Sequence, residues 1–222
     1  MTVLLLDAYH LGDPLFLSGL ARDLAARPDG LVLVHGSGER GERALEALGL
    51  APTATDGVWA TGSDDEAAAV ERATRELNRS VVHELNEAGV ASVRAVGADR
   101  GLLKTAGDGR VVAGRTAWLA DLVRQRVVVV VAALVDGGGG PLREADAARS
   151  GGALAEALGA PLAVLSRKGL DGPASLADAT VREALGDAAG VGRALGAGGR
   201  VVAVGRGALR EGGSPGGPEV VG

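Results

Sequence analysis

Short unbroken apolar runs alternate along the chain with longer stretches in which apolar residues return every three or four positions. Residues 3–6, 31–34, 127–134, 162–165 and 201–204 are such runs of strand length, rich in Val and Leu, and 92–96, interrupted by Arg94, reads as a further strand. Such continuous runs predict strands buried on both faces. Between them, residues 15–26, 39–48, 64–86, 116–125, 144–158 and 177–185 carry helical periodicity. In the first of these, Leu17, Leu20 and Leu24 share a face while Arg22 and Asp23 lie between them. Gly49 and Gly89 follow two of the helices as C-terminal stops. Asp64, Asp65 and Glu66 open the longest helix, where acidic side chains suit the dipole. Residues 51–62 are turn-rich, 104–114 read as a hairpin turning at Gly107-Asp108-Gly109, and 137–140 as a flexible loop. Strand-helix alternation of this kind predicts an α/β fold, a three-layer αβα sandwich with a mostly parallel central sheet. Ligands in such sheets sit at the carboxyl ends of strands, which singles out the loops after Leu6, Val34, Val96, Val135 and Leu165.

Composition narrows the chemistry. The 222 residues suit one domain or two small ones, and the absence of Cys excludes disulfide scaffolds and thiolate metal sites. Three histidines, His10, His35 and His83, share no ligand spacing, so no metal centre is expected. With 23 basic against 28 acidic residues and 2% aromatics, neither a basic field nor a stacking platform for nucleic acid exists. The longest apolar run, 127–135, is far shorter than the roughly 20 residues of a membrane span. The N-terminus has no basic n-region, so a soluble, cytoplasmic protein is expected, with no membrane partner. Of the 23 basic residues only Lys104 and Lys168 are lysines; the rest are arginines.

The sharpest local signal is the strand 31–34 followed by His35-Gly36-Ser37-Gly38 and a helix. Glycines there let backbone N–H groups approach an anion, and a helix N-terminus adds positive partial charge. Two readings stay open at this level: a phosphate loop, or a tight strand-to-helix turn that needs glycine for steric reasons alone. The loop has neither the Gly-Lys-Ser/Thr ending of a Walker loop nor a full dinucleotide fingerprint.

An ordered set of segments over residues 3–170 resembles the amino acid kinase family, in its acetylglutamate kinase branch. Residues 31–38 resemble the family's phosphate loop. Ala47-Leu48-Gly49-Leu50-Ala51-Pro52 and Gly57-Val58-Trp59-Ala60-Thr61 are similar to its l-G-i-x-P and G-x-R-x-T stretch. Residues 77–89 match a long N-x-x-hydrophobic-V-x-x-L-N-x-x-G helix; Gly97-Ala98-Asp99 resembles its G-x-D turn, and residues 151–166 its late helix-strand unit beside the nucleotide. The resemblance implies one domain over residues 1–209, with a substrate-side half at about 1–135 and a nucleotide-side half at about 136–209. A Gly/Pro-rich tail, 210–222, follows. It further implies ATP with Mg as cofactor, and an acyl amino acid and nucleotide as small-molecule partners. A homo-oligomer built through the N-terminal half completes the picture. On this resemblance His35, Gly36, Ser37, Gly38, Ser166 and Arg167 face phosphate or nucleotide, while Gly57, Trp59, Thr61 and Asn78 line the substrate side.

The departures concern charge. Where the family's first strand carries a Lys followed by two Gly, this chain has Asp7, and the substrate-holding Arg appears as Trp59. Counting back from Gly159-Ala160 without gaps, the family's organising Asp falls on Ala148, with Asp146 two residues away, and the Asn ahead of it falls on Glu144. The late Gly-Met-x-x-Lys segment has no counterpart near residues 189–195, which leaves Lys168 as the candidate catalytic cation. Two functions follow as expectations. The first is ATP-dependent phosphorylation of the side-chain carboxylate of an N-acylated acidic amino acid, in arginine or lysine biosynthesis. The second is a catalytically degenerate homologue acting as a binding or regulatory subunit.

Overall fold

All six strand-length runs meet in a single parallel sheet. In the computed structural model, which describes residues 1–27, 29–167, 170, 174–185, 188–198, 200–211 and 217–222, they are β1 (Val3–Leu6), β2 (Val32–His35), β3 (Ser92–Val96), β4 (Val128–Ala132), β5 (Leu162–Leu165) and β6 (Val201–Val204). The spatial order is β6-β5-β1-β2-β4-β3, every neighbouring pair parallel. The chain therefore starts in the middle of the sheet, builds outward on one side, and then crosses β1 to build the other.

Helices cover both faces: α1 (Ala8–Leu11), α2 (Pro14–Ala25), α3 (Glu39–Glu46), α4 (Asp64–Glu87), α5 (Ala117–Arg124), α6 (Ala147–Ala157), α7 (Ala179–Leu185) and α8 (Ala188–Gly196). Alternation along each strand sorts the core into two halves. Val3, Leu5, Val32, Val34, Val129 and Val131 join Leu119 of α5, Leu154 of α6, Leu185 of α7 and Val191 of α8. Leu4, Leu6, Leu31, Leu33 and Val130 join Leu17, Leu20 and Leu24 of α2 and Leu77, Val81 and Leu85 of α4. Both faces being buried is why β1, β2, β4, β5 and β6 read as continuous apolar runs, whereas β3, at the sheet edge, exposes Val93 and Arg94. No helix is long and apolar enough to cross a membrane among the described residues.

Side chains set the helix starts. Asp7 caps α1 by accepting from the His10 N–H at 2.8 Å, and Asp13 caps α2 ahead of Pro14. Ser63 caps α4 by accepting from the Glu66 N–H, and Glu66 reaches back to accept from the Gly62 N–H at 2.6 Å. Asp146 caps α6, so the helix expected from residue 144 begins instead at Ala147. Arg143–Glu144 leave the helix and pair antiparallel with Leu134–Val135. Two hairpins flank the sheet's carboxyl end, one of Ala54–Thr55 with Val58–Trp59 and one of Leu103–Thr105 with Val111–Ala113. The first turns at Asp56-Gly57, both with positive φ, as a two-residue type I′ hairpin requires. At the C-terminus Val220–Val221 pair with Ala174–Ser175, and the Ala203 N–H donates to the Pro218 carbonyl, so the last residues lie along β6.

Candidate functional site

The turn that carries the phosphate-loop signature leaves β2 at His35 and enters α3 through Gly38. His35 is fully buried, and both ring nitrogens are engaged: Nδ1 with the Gly36 carbonyl at 2.8 Å and Nε2 with Asn78 Nδ2 at 3.0 Å. Asn78, on α4, also donates to the Val130 carbonyl at 3.0 Å. This pairing makes Nδ1 the donor and Nε2 the acceptor of a neutral ring. Burial pushes the His35 pKa down to about 4, with the Gly36 carbonyl opposing and the Arg40 charge adding to the fall. His35 and Asn78 thus tie α4 to the sheet beneath the loop. Both ring nitrogens of His35 and the Nδ2 of Asn78 are thereby taken up inside the protein.

Above them the loop is occupied by a carboxylate. Glu144 Oε1 accepts from the Ser37 N–H at 2.5 Å, and Oε2 accepts from the Trp59 N–H at 3.4 Å. A Cβ at Gly36 would come within 3.0 Å of Oε1, so the bare backbone makes room for this oxygen. Burial raises the Glu144 pKa, opposed by its bonds to Ser37 and Trp59, while the Asp146 charge raises it further. Trp59 roofs the turn: its Nε1–H donates to the Gly38 carbonyl at 3.1 Å, and its ring lies over Gly41, where any side chain would overlap both Trp59 and Ser37.

The two groups have opposite pH signatures. His35 has its folded pKa below the unfolded one, so its contribution to stability is present above about pH 6.5 and is lost as pH falls toward 4; Glu144, raised, shifts stability the other way. Proton NMR should show the His35 ring neutral at about pH 5.5, where an ordinary imidazole with pKa about 6.5 is mostly charged. A His35 titration near 6.5 would contradict the buried pairing with Asn78.

Arginines gather beside Glu144, and each is tied to a carboxylate. Arg143 pairs with Asp64 at 2.6 Å and donates to Thr61 Oγ1 at 3.2 Å. Arg149 reaches Asp56 at 3.4 Å and Asp146 at 3.5 Å, and Arg193 pairs with Asp146 at 2.5 Å. Gly57 packs within reach of Arg193. The adjoining cleft, about 430 Å³, is lined by Asp56, Asp136, Glu144 and Asp146 against Arg143 and Arg149, an acidic balance. Ala148, where the family's organising Asp falls, is buried in α6. Sequence reasoning did not single out Arg143, Arg149 or Arg193; their surroundings come from segments far apart in the chain.

The residues expected on the nucleotide side lie elsewhere. Ser166 and Arg167, after β5, line a cavity of about 510 Å³ with Tyr9, His10, Arg206 and Arg210. Ser37 instead lines one of about 450 Å³ with Leu11, Gly12 and Glu39. α1 intervenes, because Asp7 starts a helix directly at the end of β1 and pairs with His10 Nδ1 at 2.7 Å. Arg167 stacks its guanidinium over the Tyr9 ring at 3.9 Å, and Asp23, buried, holds Arg206 and Arg210. Lys168 lies outside the described residues.

Comparison with known proteins gives one consistent kinship. No family model matches the chain. An acetylglutamate kinase of Roseiflexus castenholzii (strain DSM 13941 / HLO8) is 34% identical over 161 residues, 68% of this chain and 62% of that protein. The chain thus spans less than two thirds of the length of the curated relatives it matches. Among solved structures, an aspartate kinase from Synechocystis superposes with a TM-score of 0.68 at 16% identity, covering 100% of this chain and 40% of that one. An N-acetylglutamate synthase from Neisseria gonorrhoeae, complexed with coenzyme A and N-acetyl-glutamate, gives 0.64 at 19% identity, covering 100% and 59%. These structures share the fold.

Proposed function

We propose, from the premise that this chain belongs to the amino acid kinase family, that it is a catalytically degenerate homologue acting as a binding or regulatory subunit. One observation carries the reading: Asp7, at the position where the resemblance puts a phosphoryl-holding Lys, caps α1 and pairs with His10. Phosphoryl transfer rests on positioning two anions and neutralising their charge, and one preorganised donor is worth about 3–4 kcal/mol of barrier. A carboxylate at that point acts in the opposite sense. Trp59 in place of Arg brings one N–H and no charge, and Arg143, Arg149 and Arg193 are already bound to Asp64, Asp56 and Asp146. The loop as built does not fit a nucleotide phosphate, since Glu144 takes the Ser37 N–H that such a phosphate would use.

A second reading is favoured by the 34% identity to an acetylglutamate kinase. In it the chain uses ATP with Mg to phosphorylate the side-chain carboxylate of an N-acylated acidic amino acid in arginine or lysine biosynthesis. Gly36, Ser37 and Gly38 then cradle phosphate, Ser166, Arg167 and Lys168 serve the nucleotide side, and Gly57 and Thr61 the substrate side. Both readings share a cytoplasmic homo-oligomer. A coupled ADP-release assay with ATP, Mg and N-acetylglutamate separates them. The degenerate reading expects no release above that of a protein-free blank; turnover that requires N-acetylglutamate would overturn it.

A further inference from the structure

Glu144 is a half-buried carboxylate whose two oxygens both meet backbone N–H groups. Its two oxygens are divided between N–H groups of two different loops, Ser37 after β2 and Trp59 of the hairpin. The guanidinium groups nearby go to Asp56, Asp64 and Asp146 instead. Its main chain is fixed by pairing with Leu134, so the side chain alone decides whether the amides are covered. Convergent backbone N–H groups with a glycine beside them are what an anion site consists of, and here the anion belongs to the protein.

We propose that the Gly36–Gly38 turn and the Trp59 amide form a working oxyanion site that Glu144 occupies in cis, excluding external oxyanions. The ligand class is a carboxylate or phosphate group small enough to replace the Glu144 head. The inference rests on the reading above only in treating this turn as an anion site, and it adds that the site is intact beneath its occupant. Gly36 carries weight here. The room it leaves at 3.0 Å from Oε1 suits an oxygen of any source.

The test uses the full chain and the variants Glu144→Ala and Glu144→Gln, with inorganic phosphate and acetate as probes in thermal shift and calorimetry. Glu144→Ala should bind at least one probe at least about tenfold more tightly than wild type, because the amides have lost their internal anion. Glu144→Gln, whose neutral head still accepts from Ser37, should fall between the two. A gain with acetate alone assigns a carboxylate ligand, and a gain with phosphate alone assigns a phosphate; either supports the site. If Glu144→Ala does not fold, Glu144→Gln carries the test on the same comparison with wild type. Equal binding by wild type and folded variants, or no gain, overturns the proposal. So does failure of both variants to fold, which would make Glu144 a structural tie. Turnover by wild type in the ADP-release assay would instead overturn the degenerate reading and leave this comparison standing.

Discussion

Asn78→Ala should lower the unfolding free energy by about 2–4 kcal/mol. Asn78 is 2% exposed and its amide serves three acceptors: His35 Nε2, the Val130 carbonyl and, at 3.5 Å, the Ala95 carbonyl. Truncation leaves the His35 acceptor buried with no donor and opens a small void where α4 meets β3 and β4. Asn86, further along α4, gives the contrast. It accepts from Ser92 in an exposed setting, where water replaces the lost bond, so Asn86→Ala should cost less than about 1 kcal/mol. Urea unfolding followed by circular dichroism measures both. Similar losses for the two variants would contradict the buried network.

Asp146→Ala should cost about 3–5 kcal/mol, for two separable reasons. Oδ1 accepts from the Ala148 N–H at 2.8 Å and the Arg149 N–H at 3.3 Å, which caps α6. Oδ2 pairs with Arg193 of α8, whose side chain is only 16% exposed and would be left with no carboxylate at that point. Asp146→Asn keeps the capping acceptor and loses the ionic partner, so it should fall between wild type and Asp146→Ala. A loss under about 1 kcal/mol for Asp146→Ala would show that α6 and α8 hold their places without it.

The sheet is legible because all its strands but the edge strand β3 are buried on both sides, and its helices on one. Two periods, continuous apolar runs and returns every three or four residues, alternate cleanly from Val3 to Val204. Short pieces were harder. α1 has four residues and no period to detect, and only Asp7 ahead of it hints at a cap. Residues 51–62 carry turn signals without a strand period, yet the Asp56-Gly57 pair is a strong two-residue turn signal and a hairpin forms around it. The most consequential difference is at Glu144. Glu144, Ala145 and Asp146 extend a helical pattern backward, yet Asp146 favours the cap over the helix interior, as acidic side chains that bond nearby N–H groups do. That places Glu144 in a short strand, from which it reaches Ser37, 107 residues earlier in the chain. No local pattern carries such a contact. Likewise the arginine bias was plain in the sequence, while the carboxylates that occupy Arg143, Arg149 and Arg193 emerge only from the folded chain.

The proposed degenerate reading rests on three features: Glu144 on the loop amide of Ser37, Asp7 as the cap of α1, and Arg143, Arg149 and Arg193 paired with carboxylates. The product of carboxylate phosphorylation is an acyl phosphate, which hydroxylamine converts to a hydroxamate with a coloured iron complex. Incubating the wild-type chain with ATP, Mg, N-acetylglutamate and hydroxylamine reads that product directly. The account predicts no hydroxamate above a protein-free blank; hydroxamate that accumulates with time and with protein concentration would contradict it.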